Sequence, residues 1–140
     1  MTTAIDTNVI VALWGVDVSL NTRAQSALED ALEQGRLVIA APVFAELIAA
    51  PGQNQTFVNS FLRGSGINID WVLDENMWRT AGEAFQAYAA RRRRQRDLGP
   101  RRILADFLIG AHALLRGYRL LTLDNNLYRA AFPRLTLVSP

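Results

Sequence analysis

The fold is decided by LVIAAPVFAEL, residues 37–47. Residues 37–41 form a continuous apolar run shortly after Gly35, which predicts a strand buried on both faces. Pro42 suits the first turn of a helix, and we expect that helix to continue through Leu47 and Ile48. A buried strand that leads directly into a helix is typical of an α/β protein with a parallel sheet.

The same alternation of short apolar runs and helical patterns continues on both sides. Further strands are predicted at residues 3–5, 67–73, 120–123 and 135–138. Helices are expected at residues 9–13, from a cap at Asn21 or Thr22 to Gly35, at 56–63, from a cap at Asp74 into the arginines at 91–94, and from Gly99-Pro100 to Gly117. With no repeat or linker visible, we predict one domain over residues 1–140. Its fold class is a three-layer α/β sandwich with a mainly parallel sheet of four to five strands.

The composition is that of an ordinary globular domain, half hydrophobic and one fifth charged. The sequence has no cysteine, which excludes disulfides, thiolate zinc sites and cysteine nucleophiles and is compatible with a reducing cytoplasm. The N-terminal segment lacks the basic leader of a signal peptide. No apolar run approaches the roughly 18 to 20 residues of a membrane span. We therefore expect a cytoplasmic protein.

Four acidic residues stand where the apolar segments end or turn. Burying a lone carboxylate is costly, so isolated acids in such surroundings need a partner. Four acids from distant segments suggest one shared partner, most simply a divalent cation. They are Asp6, Glu46, Asp106 and Asp124.

The predicted topology brings three of these acids to one edge of the sheet. Asp6 and Asp124 each follow a predicted strand directly, and Glu46 lies one helical turn after a third. Open parallel sheets bind ligands beyond the carboxyl ends of their strands. We therefore expect these three side chains to meet there.

Asp106 requires an argument from helical geometry. At about 100° per residue, it falls at the rim of the apolar face of its helix, about 100° from Phe107. Gly110 and Ala113 lie on the same flank. Because both are small, this flank suits the close approach of a metal or a phosphate.

Each acid also has an ordinary structural explanation. Asp6 or Asp124 alone would serve as a helix cap or a turn residue. Glu46 would be a first-turn acid favoured by the helix dipole, and Asp106 would pair with Arg102 four residues earlier. Four such coincidences at compatible places are less common than one shared site, so we favour the site.

All fifteen basic residues are arginine, whose planar fork matches phosphate geometry. GC-rich coding is the simpler explanation of the missing lysines. The local balance is more informative: without the four proposed ligands, nine acids remain against fifteen arginines, so the rest of the surface carries about +6 and attracts polyanions. Seven arginines precede or begin the helix with Asp106, where a solvated helix end is the alternative explanation. They are Arg91, Arg92, Arg93, Arg94, Arg96, Arg101 and Arg102.

Four stretches make the chain similar to the PIN-domain nucleases, in particular to VapC-type toxins of prokaryotic toxin–antitoxin pairs. They occur in the family's order over nearly the whole chain: IDTNVIVAL, APVFAEL, ADFLIGAHALLRGYRLLTLD and FPRLTLV. By this resemblance the four acids occupy the metal-site positions. Thr122 resembles the hydroxyl residue that supports the last acid, and Asn8 resembles a polar residue behind the ligands. Residues 125–128, NNLY, depart from the charged pattern of many relatives and weaken any claim to a fifth ligand.

The resemblance implies RNA cleavage with Mg²⁺ or Mn²⁺, a homodimer, and an antitoxin that covers the site. The residue chemistry agrees, because an all-carboxylate site without His or Cys favours these hard cations over Zn²⁺. A bound cation lowers the pKa of its water and neutralises charge on the scissile phosphate. We expect Asp6 and Asp106 to be the central ligands, with Glu46 and Asp124 completing the shell around one ion or two. The seven arginines would then hold RNA phosphates.

Two rival functions stay open. A DNA nuclease or a phosphatase would use a similar scaffold, although an aspartyl-phosphatase normally has a second acid two residues after the first, where this chain has Asn8. An inactive PIN-like binding module is the other rival, and the presence of all four acids argues against it. The single histidine, His112, lies about 120° around its helix from Asp106, so we expect no catalytic role for it.

Overall fold

The structure is a computed structural model that describes residues 1–96 and 102–140. The strands are β1 (Thr3–Ile5), β2 (Leu37–Ala40), β3 (Ile67–Asp70), β4 (Arg119–Leu121) and β5 (Leu137–Val138). The helices are α1 (Thr7–Trp14), α2 (Val18–Gln34), α3 (Ala41–Ala49), α4 (Gln55–Gly64), α5 (Glu75–Arg94), α6 (Leu104–Arg116) and α7 (Asn125–Ala131).

The five strands form one parallel sheet in the order β3-β2-β1-β4-β5. Successive strands are added on one side of β1 up to β3, and the chain then crosses to the other side for β4. The order therefore reverses between β1 and β4, and open α/β sheets bind ligands at the carboxyl ends beside such a switch point. The predicted α/β fold with a mainly parallel sheet is confirmed, with five strands.

The central strands are buried because helices flank the sheet. Ile5, Ile39 and Leu120 are almost completely buried. The helices pack mainly within two groups, α1–α4 and α5–α7, and α3 also packs against α6. This packing sets the elements that carry the four acids against one another. In the part of the chain that the structure describes, none of the helices combines the length and apolarity needed to cross a membrane.

The predicted cap of the second helix is wrong. Helix α2 begins at Val18, and Asp17 caps it instead of Asn21 or Thr22. The Asn21 side chain donates instead to the carbonyl of Ala12 near the end of α1. The side chain that the local pattern predicted as a helix cap therefore makes a contact between α1 and α2 instead.

Four predicted strands are longer than the observed ones, and β2 ends at Ala40, one residue earlier than predicted. Strand β3 stops at Asp70 because the Asp70 carboxylate accepts the N–H of Val72 at 3.1 Å, which turns the chain. Strand β4 ends earlier than predicted, and strand β5 begins later. The short helix α7 was not predicted.

Several helix ends are as predicted, including Gly35 at the end of α2 and Pro42 in the first turn of α3. Asp74 caps α5 by accepting the N–H of Met77 at 3.0 Å. Gly117 ends α6 in the left-handed conformation, with φ of 72°, which glycine adopts without strain. The predicted start of this helix at Gly99-Pro100 lies outside the described residues, and the observed helix begins at Leu104.

Candidate functional site

Asp6 is a buried carboxylate at the carboxyl end of β1. Only 4% of its surface is exposed, and the Thr122 hydroxyl donates to its Oδ2 at 2.8 Å. Asp6 occupies the N-cap position of α1, but its side chain makes no cap hydrogen bond. Helix capping therefore does not explain why an acid is buried here.

Thr122 connects the ends of β1 and β4. Besides its bond to Asp6, its hydroxyl accepts the backbone N–H of Asp124 at 2.9 Å and lies 3.5 Å from the Asn8 side-chain nitrogen. The Asn8 oxygen accepts the N–H of Leu123 at 3.1 Å. Asn8 and Thr122 thus hold the two segments that carry Asp6 and Asp124 beside each other.

The four acids affect one another electrostatically. Burial, with an added contribution from the charge of Asp106, raises the pKa of Asp6 to about 6 despite the Thr122 hydrogen bond. Burial and the Asp106 charge also raise the pKa of Glu46. The pKa of Asp106 is raised by burial and by the charge of Asp124. Asp106 is thus within electrostatic range of Asp6, Glu46 and Asp124.

Two of the acids have local partners. The Thr7 hydroxyl donates to Glu46 Oε1 at 2.6 Å. Arg102 Nη1 lies 2.6 Å from Asp124 Oδ2. The other Asp124 oxygen caps α7 by accepting the N–H of Leu127 at 3.4 Å.

These contacts decide among the structural explanations of single acids. Asp124 is indeed a helix cap. Glu46 lies in the second half of α3, so the first-turn explanation is wrong for it. Arg102 forms its ion pair with Asp124 rather than with Asp106, although its charge partly opposes the rise that burial causes in the pKa of Asp106.

The donor set fits a hard divalent cation, because carboxylate oxygens are the ligands that Mg²⁺ and Mn²⁺ prefer. Within residues 1–96 and 102–140, however, no three acidic or histidine side chains converge closely enough to hold an ion as they stand. Two of the four acids are engaged by other side chains, Glu46 by Thr7 and Asp124 by Arg102.

The flank of α6 beside Asp106 differs from the prediction. Gly110 is small because Phe132 packs on it: a Cβ added to Gly110 would lie 2.2 Å from the Phe132 ring. Ala113 is fully buried. The interpretation that these small residues leave room for a metal or a phosphate is therefore wrong.

Two residues near the acids were not found from the sequence. Thr7 follows Asp6 directly and contacts Glu46. The Tyr128 hydroxyl is buried near Asp6 and has no partner with good hydrogen-bond geometry among the described residues. Burial, with the charges of Asp6 and Asp106, raises the pKa of Tyr128 above its usual range. Its position four residues after Asp124, on one face of α7, was the available signal.

The arginine-rich end of α5 adjoins the segment before α6. Arg91 and Arg92 are partly buried, Arg93, Arg94 and Arg96 are exposed, and Arg101 lies outside the described residues. Tyr88 links the two segments, because its hydroxyl accepts the backbone N–H of Arg102 at 2.8 Å and lies 3.4 Å from Arg92 Nη1.

His112 belongs to a separate cluster. Its Nε2 lies 2.9 Å from Asp70 Oδ2, and Arg116 Nε lies 3.3 Å from the same oxygen. His112 is fully buried, and burial lowers its pKa although Asp70 opposes the shift. The structure thus gives the only histidine a structural partner on the edge strand β3.

Comparison with known proteins places this architecture among described folds. A family model for the PIN domain matches residues 3–133. No curated protein sequence matches the chain.

Several solved structures share the fold. The structure of VapBC-1 from nontypeable Haemophilus influenzae has a TM-score of 0.66 at 20% identity, over 99% of this chain and 98% of that chain. FitAcB from Neisseria gonorrhoeae has a TM-score of 0.63 at 21% identity, over 96% and 95% of the two chains. VapBC2 from Rickettsia felis, bound to a DNA fragment from its promoter, has a TM-score of 0.62 at 21% identity, over 99% and 98%. At these identities the likeness shows the fold.

Proposed function

Because the chain belongs to the PIN domain family, we propose that it is a metal-dependent endoribonuclease and the toxin of a type II toxin–antitoxin pair. PIN domains are nucleases and generally use divalent metal ions. The proposed reaction is hydrolysis of RNA phosphodiester bonds by a metal-activated water, with Mg²⁺ or Mn²⁺ as the cofactor.

The observation that carries the proposal is the buried, uncompensated carboxylate of Asp6. A structural aspartate with 4% exposure would be expected to have a cationic partner, yet burial raises the pKa of Asp6 to about 6 and no cation among the described residues forms an ion pair with it. The charge of Asp106 raises that pKa further. A divalent cation would relieve both the desolvation and the repulsion.

Each residue has a distinct task in this proposal. Asp6 and Asp106 are the central ligands, and Glu46 and Asp124 complete the shell directly or through water. Thr122 holds Asp6 and the backbone of Asp124, and Asn8 secures the same two chain segments. When bound, the cation supplies Lewis acidity that activates water and neutralises phosphate charge.

RNA is the proposed substrate because basic side chains lie beside the acids. Arg102 contacts Asp124, and the exposed arginines at the end of α5 adjoin its segment. A single-stranded polyanion laid along this side would place a phosphate near the four acids. Arg101, outside the described residues, belongs to the same proposed set.

The test of the metal site is the cleavage of a fluorescently labelled single-stranded RNA with Mn²⁺ or Mg²⁺. The Asp6→Asn variant should lose at least about 100-fold in rate, since it removes a central ligand. Asp30→Asn is the matched control: it makes the same change at an exposed position on α2 and should keep full activity. Full activity of a folded Asp6→Asn protein would contradict the proposal.

A substrate panel distinguishes the remaining functions. The unaltered protein should cleave RNA, and it should leave single-stranded DNA and a phosphomonoester intact under the same conditions. Preferential cleavage of DNA or release of inorganic phosphate would instead identify the DNA nuclease or the phosphatase. Binding of RNA without cleavage in Mn²⁺ or Mg²⁺ would identify the binding module.

The proposed partners are a second copy of the chain and an antitoxin in the cytoplasm. The likeness to the VapBC and FitAB structures supports a partner of this class. Light scattering should give the mass of a homodimer. A short neighbouring reading frame that encodes a DNA-binding protein should, when co-expressed, bind the chain and suppress RNA cleavage.

A further inference from the structure

The ion pair between Arg102 and Asp124 lies at the edge of the proposed metal site. Its Nη1 and Oδ2 atoms are 2.6 Å apart, and the two side chains are 42% and 22% exposed.

The backbone of Arg102 is fixed while its side chain reaches the solvent. The Tyr88 hydroxyl accepts the Arg102 N–H at 2.8 Å. Tyr88 packs on Phe107, with ring centroids 5.5 Å apart, and Phe85 stacks on the same ring at 4.8 Å. Since Phe107 follows Asp106 in α6, this aromatic packing connects the Arg102 backbone to the helix that carries Asp106.

A divalent cation and Arg102 compete for the same oxygen. Asp124 Oδ2 contacts the guanidinium, and Oδ1 caps α7 at 3.4 Å. If Asp124 coordinates the ion directly through Oδ2, that oxygen must give up the guanidinium. An exposed pair of this kind is weak enough to be exchanged by a dication.

We propose that Arg102 is a built-in counter-ion that occupies Asp124 until the divalent cation displaces it, and that the released guanidinium then binds a phosphate of the RNA. This inference rests on the proposed function. The guanidinium fork pairs with phosphate through two parallel N–H···O bonds. The fixed backbone holds it at the edge of the site, so metal binding and substrate binding are coupled through one side chain.

The displacement of Arg102 from Asp124 by a cation is tested by titrating EDTA-stripped protein with Mn²⁺ in a calorimeter, without RNA. Arg102→Ala should tighten Mn²⁺ binding about two- to fivefold, the worth of an exposed ion pair. In an Asp124→Asn background the same substitution should give at most half of that gain. Arg94→Ala, a matched change at the exposed end of α5, should tighten binding less than Arg102→Ala does.

Weaker or unchanged Mn²⁺ affinity in Arg102→Ala would overturn the counter-ion role. An equal gain in both backgrounds would also overturn it, since the effect would then not pass through Asp124. Absence of Mn²⁺ binding by the unaltered protein would overturn both this inference and the proposed metal site.

The binding of an RNA phosphate by the released guanidinium is tested by measuring the affinity for labelled single-stranded RNA of mixed sequence. EDTA is present, so no metal-dependent cleavage occurs. With Asp124 present, Arg102 is already paired, so Arg102→Ala should reduce RNA affinity less than about twofold. With Asp124→Asn the guanidinium is free, and Arg102→Ala should cost about three- to tenfold. Arg94→Ala should have equal effects in both backgrounds.

The same loss for Arg102→Ala in both backgrounds would overturn the proposed release of the guanidinium. Arg102→Lys sharpens the result, because lysine keeps the charge but lacks the fork. Its RNA affinity should lie between those of the unaltered protein and Arg102→Ala. Circular dichroism and the urea midpoint of each variant establish that it is folded.

Discussion

Asp6 and Asp70 both stand at the carboxyl ends of parallel strands, yet their surroundings differ in kind. Asp6 follows the central strand β1, is buried, and has a hydroxyl as its hydrogen-bond donor. Asp70 ends the edge strand β3, is partly exposed, and contacts His112 and Arg116. Burial raises the pKa of Asp6 to about 6. Burial also opposes the ionisation of Asp70, but the His112 hydrogen bond and the Arg116 charge hold its pKa below the usual range.

The difference separates an acid with cationic partners from one that has a hydroxyl donor and no ion pair among the described residues. The protein supplies the partners of Asp70, so its charge stabilises the fold. Burial makes the charge of Asp6 unfavourable, and the charge of Asp106 adds to that cost, until something else binds. An acid in the second situation weakens the fold, which is consistent with a ligand site.

The largest expected effect is opposite pH dependence. An Asp6 pKa of about 6 in the folded state, above the unfolded value of 3.8, means that the fold loses stability as pH rises from about 4 to 6. In EDTA, Asp6→Asn should therefore be more stable than the unaltered protein at pH 7 by about 2 to 3 kcal/mol, and nearly equal to it at pH 4. Urea denaturation at both pH values measures this.

Asp70→Asn is the matched control for that experiment. It should destabilise the fold at both pH values, since the ionised Asp70 contributes stability above its lowered pKa. The loss should be greater at pH 4 than at pH 7, because without Asp70 the buried His112 resists protonation more strongly. Equal behaviour of the two Asn variants would remove the distinction between the two acids.

The second expected effect is stabilisation by Mn²⁺. At about 100 times its dissociation constant, Mn²⁺ should add about 2.7 kcal/mol to the free energy of unfolding of the unaltered protein and of Asp70→Asn. It should add almost nothing to Asp6→Asn. Thermal melts with and without the ion measure this, and stabilisation of Asp6→Asn by Mn²⁺ would place the binding site elsewhere.

The third expected effect concerns the Thr122 hydroxyl, which donates a hydrogen bond to Asp6. Thr122→Val keeps the shape but removes the hydroxyl that serves Asp6 and Asp124, which should cost about 1 to 2 kcal/mol and weaken Mn²⁺ binding. Thr3→Val is the matched control, since Thr3 is also fully buried and its hydroxyl accepts from Arg119 at 2.7 Å. It should lower stability without changing Mn²⁺ affinity. Identical metal affinities in the two variants would argue against a supporting role for Thr122.

The smallest expected effect is at the edge of the other cluster. Arg116→Gln should cost less than about 1 kcal/mol, because the Arg116 side chain is 35% exposed. Chemical denaturation with urea at low and high NaCl measures this, and the difference should fade at high salt. A loss above about 2 kcal/mol would show that Asp70 depends on Arg116 more than on His112.

The sequence was sufficient for features that local chemistry determines. The apolar run of β2 and the Pro42 that begins α3 predicted a buried strand followed by a helix, and both occur. The acids at strand ends followed from this, because parallel strands bring their carboxyl ends to one edge. The sequence therefore predicted that Asp6 and Asp124 lie at the same edge of the sheet.

Features set by distant contacts were not predictable. Asn21 has the composition of a cap but reaches another helix, and Gly110 is small because Phe132, 22 positions away, packs on it. The Asp70 cluster joins residues 42 positions apart, so no local window contains both partners. In each case a tertiary contact, which no periodicity records, decides the role of the side chain.

The hydrogen bond from Thr122 to Asp6 joins residues 116 positions apart in the chain. During synthesis at about 5 to 20 residues per second, Asp6 therefore precedes its partner by about 6 to 23 s. Until β4 pairs with β1, the growing chain holds one half of the proposed site without the other. The proposed metal site therefore stays incomplete on the ribosome until residue 124 has been synthesised, near the end of the 140-residue chain.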